Sequence, residues 1–432
     1  MTRNFDLAAA LDEAKQAYIA DNPASAAQHE RARAALPGGN TRTVLYYDPF
    51  PLGFARGEGA GLWDLDGHRY TDFLGEFTAG VAGHSNAIIR RAVIAAMEDG
   101  INLGGHNTFE PRFAEAVRAR FPAMEQMRFT NSGTEANLLA ISTAIAVTGR
   151  KKILAFNGGY HGAVFTIGAP VNINAPFDWL VSGYNDAAAA VALIEAHASE
   201  IAAVILEPML GGGGCIPAEP DFLHALREAT ARHGMMLIFD EVMTSRLAPG
   251  GLGAAHGITP DLMTLGKYVG GGMSFGAFGG RADLIGRFDP SQPGALPHAG
   301  TFNNNVLTMA AGLTTLSEVF TPDAALALNA MGERLRARLN AACQAAAVPM
   351  QFTGRGSMLA AHMMAGSIRT PADAAAGSVP ARDLFFFDML REGYWIARRG
   401  MMALSLPLTE ADMDGFVAAV ERFLAARGDL LR

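Results

Sequence analysis

The stretch MLIFDEVMTSRLAPGGLGAAHGITPDLMTLGK (236–267) contains two short apolar runs, each followed by a side chain that can carry charge. Asp240 directly follows residues 236–239, and Lys267 follows residues 262–265 after one glycine. Apolar runs of roughly four to eight residues, bounded by glycine and proline, are typical of strands buried on both faces of a sheet. The stretch therefore predicts two buried strands with Asp240 and Lys267 at their carboxyl ends.

The same pattern continues on the amino-terminal side of this stretch. Further apolar runs occupy residues 153–156 and 202–206, and helical patterns occupy residues 187–199 and 220–233. Alternation of helices with buried strands is typical of the α/β class, in which a mostly parallel sheet lies between layers of helices. Ligands of such sheets bind beyond the carboxyl ends of the strands. The polar residues that follow the four runs are therefore expected to converge: Tyr160, His161, Glu207, Asp240 and Lys267.

The chain divides into three parts by its sequence pattern. Residues 1–75 are predicted to form a helical segment over 1–36 and a β-hairpin that turns at Asp66-Gly67. A calcium loop beginning at Asp64 would need downstream ligands that this sequence lacks. Residues 76–320 carry the α/β pattern, and residues 321–432 consist of helices with a few strands, which predicts a smaller C-terminal domain.

The composition argues against several classes of protein. Half of the 432 residues are hydrophobic, and the net charge of −8 without a dense basic run argues against a nucleic-acid partner. The two cysteines, Cys215 and Cys343, form no metal-spaced motif and fit a reducing compartment. No apolar run approaches the roughly 20 residues of a membrane span, and the N-terminus lacks the apolar core of a signal peptide. We expect a soluble, cytoplasmic protein with no metal site and no membrane partner.

Lys267 has an unusual setting for a lysine. The chain has four lysines, and the other three lie in ordinary polar stretches, whereas Lys267 lies between an apolar run and the glycines 270–272. Burial lowers the pKa of a lysine, and the neutral amine that results can form a Schiff base. The alternative for a lone lysine at a strand end is that its amine simply reaches solvent.

An anion site is predicted where Thr130-Asn131-Ser132-Gly133-Thr134-Glu135 opens a helix that extends over 136–147 and ends at Gly149. Ser132 and Glu135 have the spacing of a capping box, and the free N–H groups of a helix start also bind phosphate. Capping alone remains an alternative. A nucleotide P-loop around Lys267 is excluded, because Asp261 and Tyr268 stand where that motif needs a glycine and a serine or threonine.

Asp240 has three possible roles: a helix cap, a salt-bridge partner, or the acid that holds a proton on a ring nitrogen. Together with the phosphate cradle, the aromatic Tyr160 and Lys267, the last role suggests a site for pyridoxal 5'-phosphate. In that reading phosphate anchors the cofactor, Tyr160 stacks on its ring, Asp240 keeps the ring protonated and Lys267 carries the aldehyde as a Schiff base.

The chain resembles the fold-type I, class III aminotransferases over nearly its whole length. The resemblance rests on the ordered strings FTNSGTEAN (129–137), GGYHG (158–162), LEP (206–208), LIFDEV (237–242), LGKYVGGG (265–272) and GTFNNN (300–305). It implies a homodimer with shared active sites, a large cofactor-binding domain and a smaller α+β domain built from the two chain ends. It also implies roles for individual residues: Lys267 for the Schiff base, Asp240 for the ring nitrogen, Ser132, Gly133 and Thr134 for the phosphate, Tyr160 for ring stacking and Thr301 for the phosphate of the neighbouring subunit. Glu207 matches a family glutamate with either a structural or a catalytic role, and His161 fits the motif, with support of the loop alone as the alternative to a site role.

Within the family, the chain is most similar to the β-phenylalanine aminotransferases, through segments 45–51, 243–249, 271–283, 298–306 and 399–409. The string PGGNTR (37–42) also resembles glutamate-1-semialdehyde aminomutases, but the string 302–305 lacks their usual Gly-Asn-Pro. In these enzymes the arginine matching Arg42 binds a substrate carboxylate, although a loop salt bridge is the alternative here. Arg399, or the adjacent Arg398, matches an arginine that admits the second carboxylate of a co-substrate. Residues 400–403 depart from the group and could line its side-chain pocket.

The resemblance implies ping-pong transamination from a β-amino acid to a keto acid such as 2-oxoglutarate or pyruvate. Three alternatives remain: an aminomutase that needs no external acceptor, an ω-amine transaminase that accepts amines without a carboxylate, and a non-enzymatic relative of the fold. The presence of Lys267 argues against the last.

Overall fold

The structure is a computed structural model, and it describes residues 6–432. The strands of this part of the chain are β1 (Phe54–Glu58), β2 (Gly61–Asp64), β3 (Arg69–Asp72), β4 (Gln126–Thr130), β5 (Lys152–Phe156), β6 (Asp178–Ser182), β7 (Ile201–Leu206), β8 (Met209–Leu210), β9 (Ile216–Pro217), β10 (Met236–Asp240), β11 (Leu262–Gly266), β12 (Gly276–Gly280), β13 (Gln351–Arg355), β14 (Met358–His362), β15 (Tyr394–Trp395) and β16 (Met401–Ala403). The α-helices are α1 (Leu7–Asp21), α2 (Pro23–Arg33), α3 (Ala87–Glu98), α4 (Phe109–Arg120), α5 (Gly133–Thr148), α6 (Ala187–Ala196), α7 (Pro220–His233), α8 (Leu252–Ala255), α9 (Ala282–Ile285), α10 (Val306–Thr314), α11 (Pro322–Ala345), α12 (Pro371–Ala375), α13 (Val379–Arg391) and α14 (Glu410–Leu431).

A seven-stranded sheet with the order β4-β12-β11-β10-β7-β5-β6 forms the centre of the molecule. The four predicted apolar runs are its strands β5, β7, β10 and β11, which pair in parallel. Every residue of β7 and β10 is buried, because helices such as α5 and α7 cover the faces of the sheet. The prediction of an α/β fold with a mostly parallel sheet is confirmed. Strand β12 is the exception, since it runs antiparallel to both β4 and β11.

The amino-terminal helical prediction needs one correction. The segment forms two helices, α1 and α2, because Pro23 cannot donate the hydrogen bond that would continue α1 and instead starts α2. The N-terminal part of the prediction, residues 1–5, lies outside the described residues. The hairpin is confirmed, since β2 and β3 pair antiparallel across Asp66-Gly67.

The acidic residues of this hairpin act as local hydrogen-bond acceptors. Asp64 Oδ1 accepts the N–H groups of Asp66 and His68, which closes the turn. The Asp66 carboxylate accepts the N–H groups of Ala24 and Ser25 in the first turn of α2. The turn therefore fixes α2 against the hairpin.

Strands from the two ends of the chain share a sheet. β15 pairs in parallel with β3, so the four-stranded sheet β1-β2-β3-β15 joins residues 54–72 to residues 394–395. β13, β14 and β16 form a separate antiparallel sheet against α11. The division at residues 75 and 320 remains a prediction. Within residues 6–432, no helix combines the length and apolar character that crossing a membrane requires.

Candidate active site

Asp240, at the carboxyl end of β10, is the centre of a buried hydrogen-bond network. Its Oδ2 atom accepts from Asn137 Nδ2 at 2.7 Å and from His161 Nδ1 at 2.8 Å, and its Oδ1 accepts the N–H of Val242 at 3.0 Å. Asn137 is itself oriented by Thr264, whose hydroxyl donates to Asn137 Oδ1 at 2.7 Å. A carboxylate that accepts several hydrogen bonds in a buried setting is held in one orientation.

Asn137 and Thr264 are site residues that the sequence reasoning missed. Both are buried polar residues, Asn137 in helix α5 and Thr264 in the otherwise apolar strand β11. A buried polar side chain requires a hydrogen-bond partner. A polar residue at a position that the helix or strand pattern predicts to be buried was therefore the signal that could have identified Asn137 and Thr264.

Lys267 follows β11 directly and adopts a φ of 52°, in the left-handed region that residues with a Cβ rarely occupy. Burial lowers the pKa of its amine, and the charges of Asp240 and Glu207 oppose this shift. The guanidinium groups of Arg399 and Arg42 lower the same pKa further. Lys267 therefore lies within electrostatic range of Asp240 and Glu207 and of both arginines.

The start of α5 lies at the same edge of the sheet. Ser132 is the N-cap, and its hydroxyl accepts the N–H of Glu135 at 3.2 Å. The predicted capping box is only half formed, because the Glu135 carboxylate accepts the N–H of Asn131 at 2.9 Å and not that of Ser132. Among residues 6–432, the N–H groups of Gly133 and Thr134 have no acceptor. The helix start is therefore both capped and able to bind an anion.

The predicted loop 158–162 packs against this helix start. A Cβ atom on Gly162 would lie 2.3 Å from Thr134 Oγ1, so only glycine allows the close approach. The loop places Tyr160 with a side chain that is part exposed and His161 with one that is buried. Within the described part of the chain, His161 Nε2 is a buried atom without a hydrogen-bond partner.

Glu207 holds this loop from the end of β7. Its Oε1 accepts the N–H of Tyr160 and its Oε2 accepts the N–H of Gly211, each at 3.0 Å. Burial, and secondly the charge of Asp240, raise the pKa of Glu207. These contacts give Glu207 a supporting position beneath the loop.

The three candidate arginines differ in their partners. Arg398 donates two hydrogen bonds to the buried Asp383, at 2.8 and 2.6 Å, so an ion pair holds its guanidinium in place. Arg399 contacts Met401 Sδ at 3.4 Å and has no carboxylate partner among residues 6–432. Burial lowers the pKa of Arg399. Arg42 pairs with Glu76, and both of these side chains are about half exposed.

Arg42 and Arg399 contact the same aromatic ring. Their guanidinium carbons lie 5.5 and 5.3 Å from the centre of the Phe77 ring, respectively. The sequence reasoning missed Phe77 and Glu76, because neither stands in a recognisable motif.

Thr301 lies apart from this cluster, exposed in the loop before α10. Its hydroxyl makes no hydrogen bond within residues 6–432. The same loop contacts the α5 start through Asn303, whose Oδ1 accepts from Asn131 Nδ2 at 3.0 Å. The loop therefore borders the predicted phosphate site, while Thr301 itself points to no partner in the described part of the chain.

Comparisons with known proteins identify the family of this chain. The family model for class III aminotransferases matches residues 45–170 and 182–421. A beta-phenylalanine transaminase of Variovorax paradoxus is 57% identical over 98% of this chain and 97% of its own length. The solved structure of a beta-phenylalanine aminotransferase from the same organism superposes with a TM-score of 0.96 at 56% identity, over 98% of each chain. A glutamate-1-semialdehyde 2,1-aminomutase of Sorangium cellulosum is 39% identical over 94% of this chain and 97% of its own. The protein belongs to the class III aminotransferases of the fold-type I architecture, whose cofactor is pyridoxal 5'-phosphate.

Proposed function

We propose that this enzyme transfers the amino group of a β-amino acid, of the β-phenylalanine type, to a keto acid such as 2-oxoglutarate or pyruvate. The observation that carries the proposal is the pair of arginines, Arg42 and Arg399, against the Phe77 ring and near the Lys267 amine. Two cations next to one reactive amine suit substrates that carry a carboxylate in addition to the reacting group. The similarity to the beta-phenylalanine transaminase supports the choice of donor.

The residues present fit the cofactor of the family. Its phosphate would be held by the N–H groups of Gly133 and Thr134, which have no acceptor within residues 6–432, and by the hydroxyls of Ser132 and Thr134. Tyr160 would cover its ring, with Glu207 holding the loop, and the oriented Asp240 carboxylate would hold the proton of its ring nitrogen. When bound, the cofactor supplies an electron sink for the carbon that bears the amine.

Lys267 is the group in this site that can move a proton at that carbon. Its lowered pKa increases the fraction of neutral amine, which is the form that can act as a base. Arg42 would bind the carboxylate of the donor, and Arg399 the second carboxylate of a dicarboxylate acceptor. Since Arg398 is held by Asp383, the adaptable arginine is assigned to Arg399.

We further propose a cytoplasmic homodimer in which Thr301 contacts the phosphate in the neighbouring subunit. Support comes from the exposure of Thr301 and of the neighbouring Phe302, 58% of whose surface is accessible in the single chain. An exposed aromatic side chain beside an unpartnered hydroxyl is typical of a surface that another subunit covers.

The experiment that tests this function compares two assays of the purified holoenzyme. Incubation of β-phenylalanine with 2-oxoglutarate or pyruvate should give the β-keto acid and the aminated acceptor in equal amounts. Omission of the keto acid should stop the reaction after one amino group per active site. Continued turnover without a keto acid would identify an aminomutase, and equal rates with a carboxylate-free amine would identify an ω-amine transaminase.

A further inference from the structure

The segment Gly75-Glu76-Phe77-Thr78 has an unusual backbone. Its four φ angles are 55°, 48°, 52° and 81°, so three consecutive residues with a Cβ occupy the left-handed region. This region is unfavourable for such residues, and most of all for the β-branched Thr78. A backbone of this kind persists only where the surroundings impose it, and it often marks a functional position.

The surroundings fix the start of this segment. Asp72 Oδ1 accepts the N–H groups of Leu74 and Gly75, at 2.8 and 3.0 Å. A Cβ on Gly75 would lie 2.6 Å from the carbonyl oxygen of Ala403 in β16. The segment is therefore held between the hairpin and β16, and this conformation directs the next two side chains.

Those two side chains are the ones that contact the arginines. Phe77 is buried and lies against both Arg42 and Arg399. Glu76 is half exposed, and one of its carboxylate oxygens contacts one terminal nitrogen of Arg42. The remaining donors of the Arg42 guanidinium have no carboxylate partner within residues 6–432. Glu76 thus contacts part of the Arg42 guanidinium, which is the group that binds the substrate carboxylate in the proposed function.

We propose that Glu76 is an internal counter-ion of Arg42, which the carboxylate of the incoming β-amino acid displaces. The inference rests on the proposed role of Arg42. An amine without a carboxylate leaves the Arg42–Glu76 pair intact and gains no binding free energy from Arg42. A substrate with a carboxylate replaces the Arg42–Glu76 ion pair by an ion pair between Arg42 and itself. Glu76 therefore reduces the binding free energy that the substrate gains from Arg42, and it sets how strongly the enzyme prefers β-amino acids.

The displaced carboxylate has space to move. A cavity of about 340 Å³ borders the segment and is lined by Glu76 and Phe77 together with His29, Asn40 and His84. Asn40 and His29 offer polar atoms to a carboxylate that leaves Arg42. Rotation of the Glu76 side chain is therefore sufficient, and the strained backbone can remain in place.

The test measures the affinity of the holoenzyme for 3-phenylpropionate, which has the carboxylate of β-phenylalanine and no amine to react. Calorimetric titration of Glu76→Gln and of Glu76→Ala should give a Kd about three- to fivefold lower than that of the unaltered enzyme, since exposed ion pairs of this kind are weak. The neutral analogue 3-phenylpropanamide should bind all three proteins equally. Asp414→Asn is the matched control, because it removes a similarly exposed ion pair, with Arg338, elsewhere on the surface.

Any outcome other than the expected one contradicts the inference. Weaker binding of 3-phenylpropionate would show that Glu76 orients Arg42, and unchanged binding would show that the pair has no influence on the ligand. Tighter binding of the amide as well would indicate a general change of the pocket. Arg42→Ala separates these failures from a failure of the proposed function: it should weaken 3-phenylpropionate binding whatever Glu76 does, and if it does not, the carboxylate role of Arg42 is wrong.

Discussion

Asp240→Asn is expected to lower turnover by roughly a thousand-fold, because it removes an oriented charge from a dry site. The carboxylate lies buried among donors from Asn137, His161 and Val242, and it is the acid assigned to the cofactor ring nitrogen. An amide of the same size keeps the shape of the site but cannot hold a proton on that nitrogen. Single-turnover rates, expressed per bound cofactor, measure the effect.

The same substitution should also destabilise the fold to a limited extent. One end of the new amide must face a donor, either the Val242 N–H or the pair from Asn137 and His161, which costs about 1–3 kcal/mol. Asp261→Asn is the matched control, since Asp261 is also buried but pairs with Arg227 and Arg281 at the opposite end of β11. It should lower the melting temperature and leave turnover per folded site nearly intact. Turnover of Asp240→Asn close to that of the control would refute the assignment.

Arg42→Ala is expected to slow the reaction of a β-amino acid by roughly thirty- to a thousand-fold in kcat/KM. Loss of a charged hydrogen-bonding partner from a partly dry pocket costs on the order of 2–4 kcal/mol in transition-state binding. A carboxylate-free amine of similar size, such as 1-phenylethylamine, should react at nearly its original rate, because it makes no contact with Arg42. Stopped-flow measurement of the first half-reaction with both donors gives the two values.

Arg399→Ala supplies the comparison for this experiment. Both guanidinium groups contact the Phe77 ring, so loss of either removes a similar packing contact. Arg399→Ala should mainly impair the half-reaction with 2-oxoglutarate and spare the one with the β-amino acid. If Arg42→Ala slows the amine and the β-amino acid equally, Arg42 has a structural role and the substrate assignment loses its physical support.

Four strands of the central sheet were predictable because they are buried on both faces. Strands β5, β7, β10 and β11 show this as mainly apolar runs. Strand β12, with the sequence GAFGG (276–280), was not predictable, since glycine carries no side-chain pattern and its pairing with β4 and β11 is set by tertiary contacts.

The candidate site also contains residues that the sequence could locate and residues that it could not. Asp240 and Lys267 could be located from the sequence because each ends an apolar run. The Arg42–Glu76 pair could not, because it joins residues 34 positions apart through a left-handed backbone at Glu76, Phe77 and Thr78. No residue of that segment other than Gly75 favours such a conformation, so it arises from the contacts with Asp72 and β16.

The most direct test of the central assignment is to reduce the holoenzyme with borohydride and to map the modified peptide by mass spectrometry. Reduction makes the Schiff base between the cofactor and its lysine permanent. The chain offers four lysines, and of these Lys267 ends a buried strand beside Asp240 and Glu207. The cofactor should be found on the peptide that contains Lys267. Its attachment to Lys15, Lys151 or Lys152 would contradict the account.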